Sequence, residues 1–166
     1  MSFRDRLIRL VRRHQYGNKK CLFIKYSGDT RYELTSIATH NGVTVDSLIA
    51  TDLKEIDSNI IDQHDIIGID EVQFINNVDL INGWADDGKI IYIAGLDTDY
   101  KRNPFPKIIN LLHSAENVIK LKAVCSCGND ASFSHRINKD NKDIELIGST
   151  ESYVALCRNC DIRSTK

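Results

Sequence analysis

Ile66-Ile67-Gly68-Ile69-Asp70-Glu71-Val72-Gln73-Phe74 is the stretch on which the fold turns. Apolar residues run up to a pair of acids, and the composition then changes. A short apolar run with β-branched residues reads as a strand buried on both faces, as in a parallel sheet. Such sheets bind ligands at the carboxyl ends of their strands, where Asp70 and Glu71 stand. Strand alternation would turn the two side chains opposite ways and leave them different tasks. A carboxylate at that end suits Mg²⁺, which takes one or two carboxylates plus phosphate oxygens. A second acid beside it could accept a proton from an attacking hydroxyl, as phosphoryl transfer requires. The plainer alternative is two solvated acids closing a strand.

Other segments of the same kind flank this one. Cys21-Leu22-Phe23-Ile24-Lys25-Tyr26 reads as a second buried strand and ends in a polar turn, Ser27-Gly28-Asp29-Thr30-Arg31-Tyr32. Ile90 to Gly95 and Val118 to Val124 read as a third and a fourth. Between them, Asn76 to Asp86 is helical, with Val78, Ile81 and Trp84 at spacing three, and Pro104 to Leu112 forms another helix with prolines at its start. At the amino end, Ser2 and Asp5 have capping-box spacing with Asp in place of Glu. Phe3, Leu7, Leu10, Val11 and His14 then form one helical stripe, with Arg4, Arg6, Arg9, Arg12 and Arg13 as a solvated basic face. Gly17-Asn18 is the helix exit. Residues 33 to 65 suggest a strand near Val43–Val45, a helix within Asp46 to Asp57 and an acidic loop. Strands alternating with helices specify an α/β domain with a mostly parallel sheet.

Composition narrows the class. The chain has 166 residues, 42% of them apolar, with 22 Lys/Arg against 23 Asp/Glu. This describes an ordinary globular protein of one domain plus a small appendage. Near-zero net charge provides no global field for nucleic acid or an anionic membrane, and it counts against a nucleic-acid module built on the basic first helix. The longest apolar runs are strand-length, so nothing is expected to span a bilayer. Met1 to His14 lacks the apolar segment of a secretory signal, and Asp5 and the scarcity of serines argue against a mitochondrial transit peptide. Five cysteines without such a signal imply a reducing compartment, where clustered cysteines bind metal more often than they form disulfides.

Four of those cysteines lie in the last forty or so residues, as Cys125-Ser126-Cys127-Gly128 and Cys157-Arg158-Asn159-Cys160. Two knuckles of thiolates match a closed tetrahedral Zn²⁺ site holding a lobe too small to own a core. The first knuckle is C-x-C, one residue shorter than usual, and reduced thiols are the plainer alternative. Cys21 stays apart in its strand. Gly83-Trp84-Ala85-Asp86-Asp87-Gly88-Lys89-Ile90 nearly spells a phosphate-binding loop, but it follows a helix and opens a strand. A phosphate loop must do the reverse, so that a helix N-terminus faces the anion. We expect a helix-to-strand turn there.

Ile69 to Phe74, Gly95-Leu96-Asp97 through Lys101-Arg102-Asn103-Pro104-Phe105, Val118 to Cys125, and Leu146-Ile147-Gly148 through Tyr153 to Cys160 together resemble the type II thymidine kinases, cellular and poxviral, in order and spacing. The resemblance runs from about Leu7 to Cys160. It implies a P-loop α/β kinase domain over residues 1–122 and a zinc-bearing lobe over 123–166 whose loop closes over thymidine. It also implies transfer of the γ-phosphoryl group of ATP to the 5′-hydroxyl of thymidine, by a cytoplasmic homotetramer engaging neither nucleic acid nor membrane.

Position by position, the resemblance makes Glu71 the general base and seats Asp70 with the Mg²⁺-nucleotide. It lays Asp29, Thr30, Arg31, Val72 and Gln73 along the ATP donor. Phe74, Leu96, Tyr100 and Phe105 would line the thymine pocket. Ser134, Ile144, Glu145, Leu146, Ile147, Gly148 and Tyr153 would read the base, and Cys125, Cys127, Cys157 and Cys160 would hold Zn²⁺. The family opens on an apolar strand and a glycine-rich phosphate loop. Met1-Ser2-Phe3-Arg4-Asp5 stands where that loop passes into the first helix. Two expectations stay open: a kinase whose phosphate loop lies outside this sequence, or a non-catalytic relative that binds nucleoside or assembles with active subunits.

Overall fold

A computed structural model of the protein describes residues 3–28, 46–137 and 152–165. The chain divides into two compact units, Met1–Gly95 and Leu96–Lys166.

The first unit is built on four parallel strands in the order β2-β1-β3-β4: β1 (Cys21–Tyr26), β2 (Asp46–Ala50), β3 (Ile66–Ile69) and β4 (Ile90–Ile93). Every residue of β3 is buried, as are the first four of β1. Each is therefore an unbroken apolar run, not an alternating one, as strands covered on both faces must be. The expected β1 and β3 are found where their sequences placed them. β4 is half-buried at the sheet edge, with Ile90 exposed, where burial on both faces was expected.

Helix α1 (Phe3–Arg13) turns Leu7 and Val11 onto the sheet, where they join Cys21, Phe23, Ile66 and Ala94 in one apolar cluster. Phe3, Ile8 and Tyr92 pack at its margin. The helix gives way to a 3-10 turn (Gln15–Gly17), and Asn18, not Gly17, takes the left-handed conformation that ends it. The capping box lies partly outside the described residues. Gly68 lets α1 come this close. A Cβ there would stand 2.5 Å from Val11 Cγ2 and 3.2 Å from a Phe23 ring carbon. Gly68→Ala is expected to destabilise this unit by about 1–3 kcal/mol, the usual cost of overpacking. A urea midpoint equal to that of the unmodified protein would show that the helix yields freely.

Two further expectations are corrected in this unit. Asp46–Ala50 is a strand, not the start of a helix; its five residues pair in parallel with β1, and that pairing overrides a weak local pattern. The helical content of that region is a 3-10 turn (Leu53–Glu55) and the short α2 (Ser58–Asp62), each capped by an aspartate side chain. The expected strand at 43–45 lies outside the described residues. The expected helix over 76–86 is shorter, α3 (Leu80–Asp86). It ends in the anticipated helix-to-strand turn, with Gly88 at φ +88° and Lys89 Nζ donating to the His64 carbonyl at 3.1 Å.

In the second unit, α4 (Pro106–Leu112) carries Pro106 in its first turn, where the missing N–H costs nothing. The expected strand over 118–124 shrinks to β5 (Ala123–Val124), paired antiparallel with β6 (Asp130–Ala131). Val118, Ile119 and Leu121 are exposed, because a β-type run forms a strand only where a partner meets it. A hairpin of β7 (Phe133–Arg136) and β8 (Tyr153–Leu156) leads into α5 (Arg158–Thr165). No helix among the described residues is long and apolar enough to cross a membrane.

Candidate active site and cysteine cluster

The carboxyl end of β3 forms the candidate active site of the first unit. The Asp70 N–H donates to the Ile24 carbonyl and that of Ala94 to Ile69, at 3.0 and 2.8 Å, so three adjacent strands frame the end of the run. β3 stops at Ile69, and both acids fall beyond it. Their side chains are therefore placed by a turn, not by the alternation expected from sequence. Glu71 has φ +52°, a left-handed conformation that is uncommon for a non-glycine residue and recurs at functional sites. From there the chain enters a 3-10 turn (Val72–Phe74). Val72 is fully buried and its N–H donates to Ala94 O, while Gln73 Nε2 donates to Glu71 Oε2 at 2.7 Å. The Phe74 ring packs at a tilt of 37° against that of Tyr26, at the end of β1, with centroids 5.3 Å apart.

Asp70 is fully buried. One of its oxygens accepts from the Glu71 N–H at 3.1 Å, and the other pairs with Arg4 Nε from the first turn of α1. Arginine in that turn opposes the helix dipole, so the pairing with Asp70 accounts for its place. Sequence put Arg4 on the solvated face; no local signal distinguishes it from the other arginines. Burial pushes the Asp70 carboxyl up to about 6, against the pull of Arg4, with Glu71 adding to the rise.

Folded Asp70 therefore binds its proton more tightly than the unfolded chain does. The stability this group contributes is complete below the ordinary value of 3.8 and is lost as pH rises through about 6. At neutral pH its buried charge costs up to about 3 kcal/mol. In metal-free buffer, Asp70→Asn is then expected to leave stability at pH 7 unchanged or higher. Arg4→Met, which strands the buried carboxylate, should lower it by about 3 kcal/mol. Unfolding curves in the reverse order would overturn this account.

In the second unit, residues 96–105 form a loop organised by Asp99, which is buried. Its carboxylate accepts from the N–H groups of Lys101 and Asn103, both at 2.8 Å, and from Asn103 Nδ2 at 3.0 Å. Arg102, at φ +65°, donates through Nε to Asp161 at 2.7 Å, and His135 Nδ1 lies 2.9 Å from the other Asp161 oxygen. Burial alone would raise the Asp161 carboxyl, but Arg102 and His135 hold it below the ordinary range. Leu96, Tyr100, Phe105, Ser134 and Tyr153 are all half-buried. Arg136 brings Tyr100 and Tyr153 together. It is buried, its guanidinium lies over both rings, and it donates to the Tyr153 hydroxyl. From sequence, Asp99, Arg136 and Asp161 drew no notice and Arg102 stood only within a motif with no role of its own, because isolated charged residues read as surface. Of the expected site residues, Asp29, Thr30, Arg31 and residues 144–148 lie outside the described residues.

The four expected cysteines do converge. The turn between β5 and β6 presents Cys125 and Cys127, with Gly128 at φ +84°, and the start of α5 presents Cys157 and Cys160. All four sulfurs lie within 4.8 Å of one another, and Cys127 and Cys157 are 3.6 Å apart. A tetrahedral ion with bonds of 2.3 Å needs sulfurs roughly 3.8 Å apart, so the cluster could hold Zn²⁺, short first knuckle included. The backbone N–H groups of Cys127 and Cys157 bring the Cys125 thiol down to about 6, while the other sulfurs, Cys127 first, push Cys160 up to about 12. Four sulfurs this close resist becoming thiolates together unless a cation joins them.

The sequence model of thymidine kinases matches residues 4–161. The chain is 43% identical over 160 residues to the thymidine kinase of vaccinia virus (strain Western Reserve), covering 95% of this chain and 89% of that protein. It is 45% identical over 156 residues to the thymidine kinase of Yaba monkey tumor virus, covering 93% and 84%. Thymidine kinase 1 of Dictyostelium discoideum is 42% identical over 163 residues, with 93% of this chain and 70% of that protein covered. With a match that runs from α1 through the last of the clustered cysteines, the chain belongs to the thymidine kinase family.

Proposed function

We propose that this protein transfers the γ-phosphoryl group of ATP to the 5′-hydroxyl of thymidine. One observation carries the reading: in a chain of this family, the carboxyl end of β3 presents a buried Asp70 followed by Glu71 in a left-handed conformation. Glu71 accepts the proton of the 5′-hydroxyl as the oxygen attacks phosphorus. Gln73 Nε2, donating to Glu71 Oε2, orients the carboxylate. Asp70 stands by the nucleotide and would hold Mg²⁺, which supplies charge neutralisation on the phosphates. Val72, Gln73 and residues 29–31 follow the donor. Phe74, Leu96, Tyr100 and Phe105 wall the thymine, and Ser134, residues 144–148 and Tyr153 read its edge, a flat base being held by apolar walls and a few fixed polar groups.

The kinase domain spans residues 1–122 and the zinc lobe 123–166. Cys125, Cys127, Cys157 and Cys160 hold a structural Zn²⁺, and the protein works as a cytoplasmic homotetramer. Incubation with γ-labelled ATP and thymidine should place label in thymidine 5′-monophosphate. Thymidine binding by calorimetry without label transfer would replace this reading with a non-catalytic nucleoside-binding subunit. Absence of both would remove it.

A further inference from the structure

Arg136 is the last residue of β7 and lies opposite Tyr153, the first residue of β8. The Ile137 N–H donates to Ser152 O at 3.0 Å, so this pair closes the base of the chain segment joining the two strands. The arginine is 4% exposed. Its guanidinium carbon sits 3.9 Å from the centre of the Tyr100 ring and 5.1 Å from that of Tyr153, and one of its nitrogens donates to the Tyr153 hydroxyl. Ser134 is two residues back on β7 and so shares the Arg136 face of the hairpin. Three residues proposed above to meet the thymine are therefore grouped about one buried cation.

Burying a guanidinium is expensive unless other groups meet it, and the Tyr100 ring, the Tyr153 ring and the Tyr153 hydroxyl are among those that do. A planar five-donor group can stack flat on Tyr100 while its edge holds Tyr153. A lysine ammonium can do one or the other, not both. We propose that Arg136 is a positioning residue that fixes the Tyr100 and Tyr153 rings relative to Ser134, and so determines affinity for the nucleoside and not the rate of phosphoryl transfer. This rests on the proposed nucleoside role of those three residues.

The test uses the full chain with ATP and thymidine. Arg136→Lys is expected to raise KM for thymidine about tenfold, the loss expected of a desolvated cation–ring contact, with kcat within about threefold and KM for ATP unmoved. Tyr153→Phe, which deletes only the hydroxyl, should also raise KM for thymidine. The double variant should be no worse than the worse single one, since both remove the same contact. A loss of packing alone would instead lower the urea midpoint and change both substrates' KM values together, and that result overturns the proposal. So does a thymidine KM within twofold of the unmodified protein in either variant. If Arg136→Lys does not fold, Arg136→Gln, which keeps an edge donor for the Tyr153 hydroxyl and loses the charge over Tyr100, takes its place with the same expected rise in thymidine KM and the same overturning result. An unmodified chain that neither binds nor phosphorylates thymidine overturns the proposed function first, which a changed KM in the variants cannot do.

Discussion

Glu71→Gln should lower kcat for thymidine phosphorylation by about 10²–10⁴-fold, the range over which a positioned base accelerates proton transfer. The amide keeps the shape of the side chain and cannot take a proton. Its carbonyl can still accept from Gln73 Nε2, which now donates to Glu71 Oε2 at 2.7 Å. The left-handed backbone at φ +52° is set by the turn after β3, so the substitution leaves the fold intact. KM for both substrates should move little, because the lost interaction is made as the hydroxyl attacks. Steady-state kinetics beside a urea titration separates the outcomes. A variant with undiminished kcat would show that Glu71 is only a polar end to the strand. A raised thymidine KM with kcat preserved would make it a binding group.

Removing the metal should have the largest effect on structure. Among the described residues, the apolar cluster around the cysteines has Cys125, Ala131, Leu156 and Cys157 as its buried members, with Ala155 and Cys160 packed against them, and β5 and β6 have two residues each. So small an apolar cluster cannot hold a lobe. Structural Zn²⁺ contributes about 10–16 kcal/mol in comparable small sites, far more than this burial could. Chelation, or Cys157→Ser, should therefore release one Zn²⁺ per chain and abolish the near-ultraviolet circular dichroism of the second unit. It should also expose β7, β8 and α5 to protease. Thymidine binding would fall with it, since Arg136 and Tyr153 sit on β7 and β8. The sign of the pH effect follows from the sulfurs: ligation requires thiolates, so affinity for zinc should weaken on acidification. A metal-free protein that keeps its dichroism and its thymidine KM would show that the cluster is not structural.

The residues from Cys21 to Tyr26 and from Ile66 to Ile69 were legible as strands because burial on both faces leaves a mark in composition: unbroken apolar runs rich in β-branched side chains. The four cysteines were legible because a tetrahedral ion needs short spacings within each pair. Asp70 and Glu71 were legible as the acidic end of β3 because the apolar run stops there. Segments whose conformation depends on a partner were not legible. Asp46–Ala50 is a strand because β1 lies beside it, whereas of 118–124 only Ala123 and Val124 meet a neighbouring strand among the described residues.

The buried charges were hidden more deeply still. Arg4 and Asp70 are 66 residues apart, and Arg102 and Asp161 are 59 apart. Sequence alone determined the α/β class, the parallel strands, the acidic strand end and the two cysteine knuckles. Tertiary structure decided which arginines leave the surface and what each one holds. Periodicity records whether a side chain faces apolar matter or water, an average over its surroundings. A charge can be buried only against one specific partner, and that partner is brought to it by the folding of the whole chain.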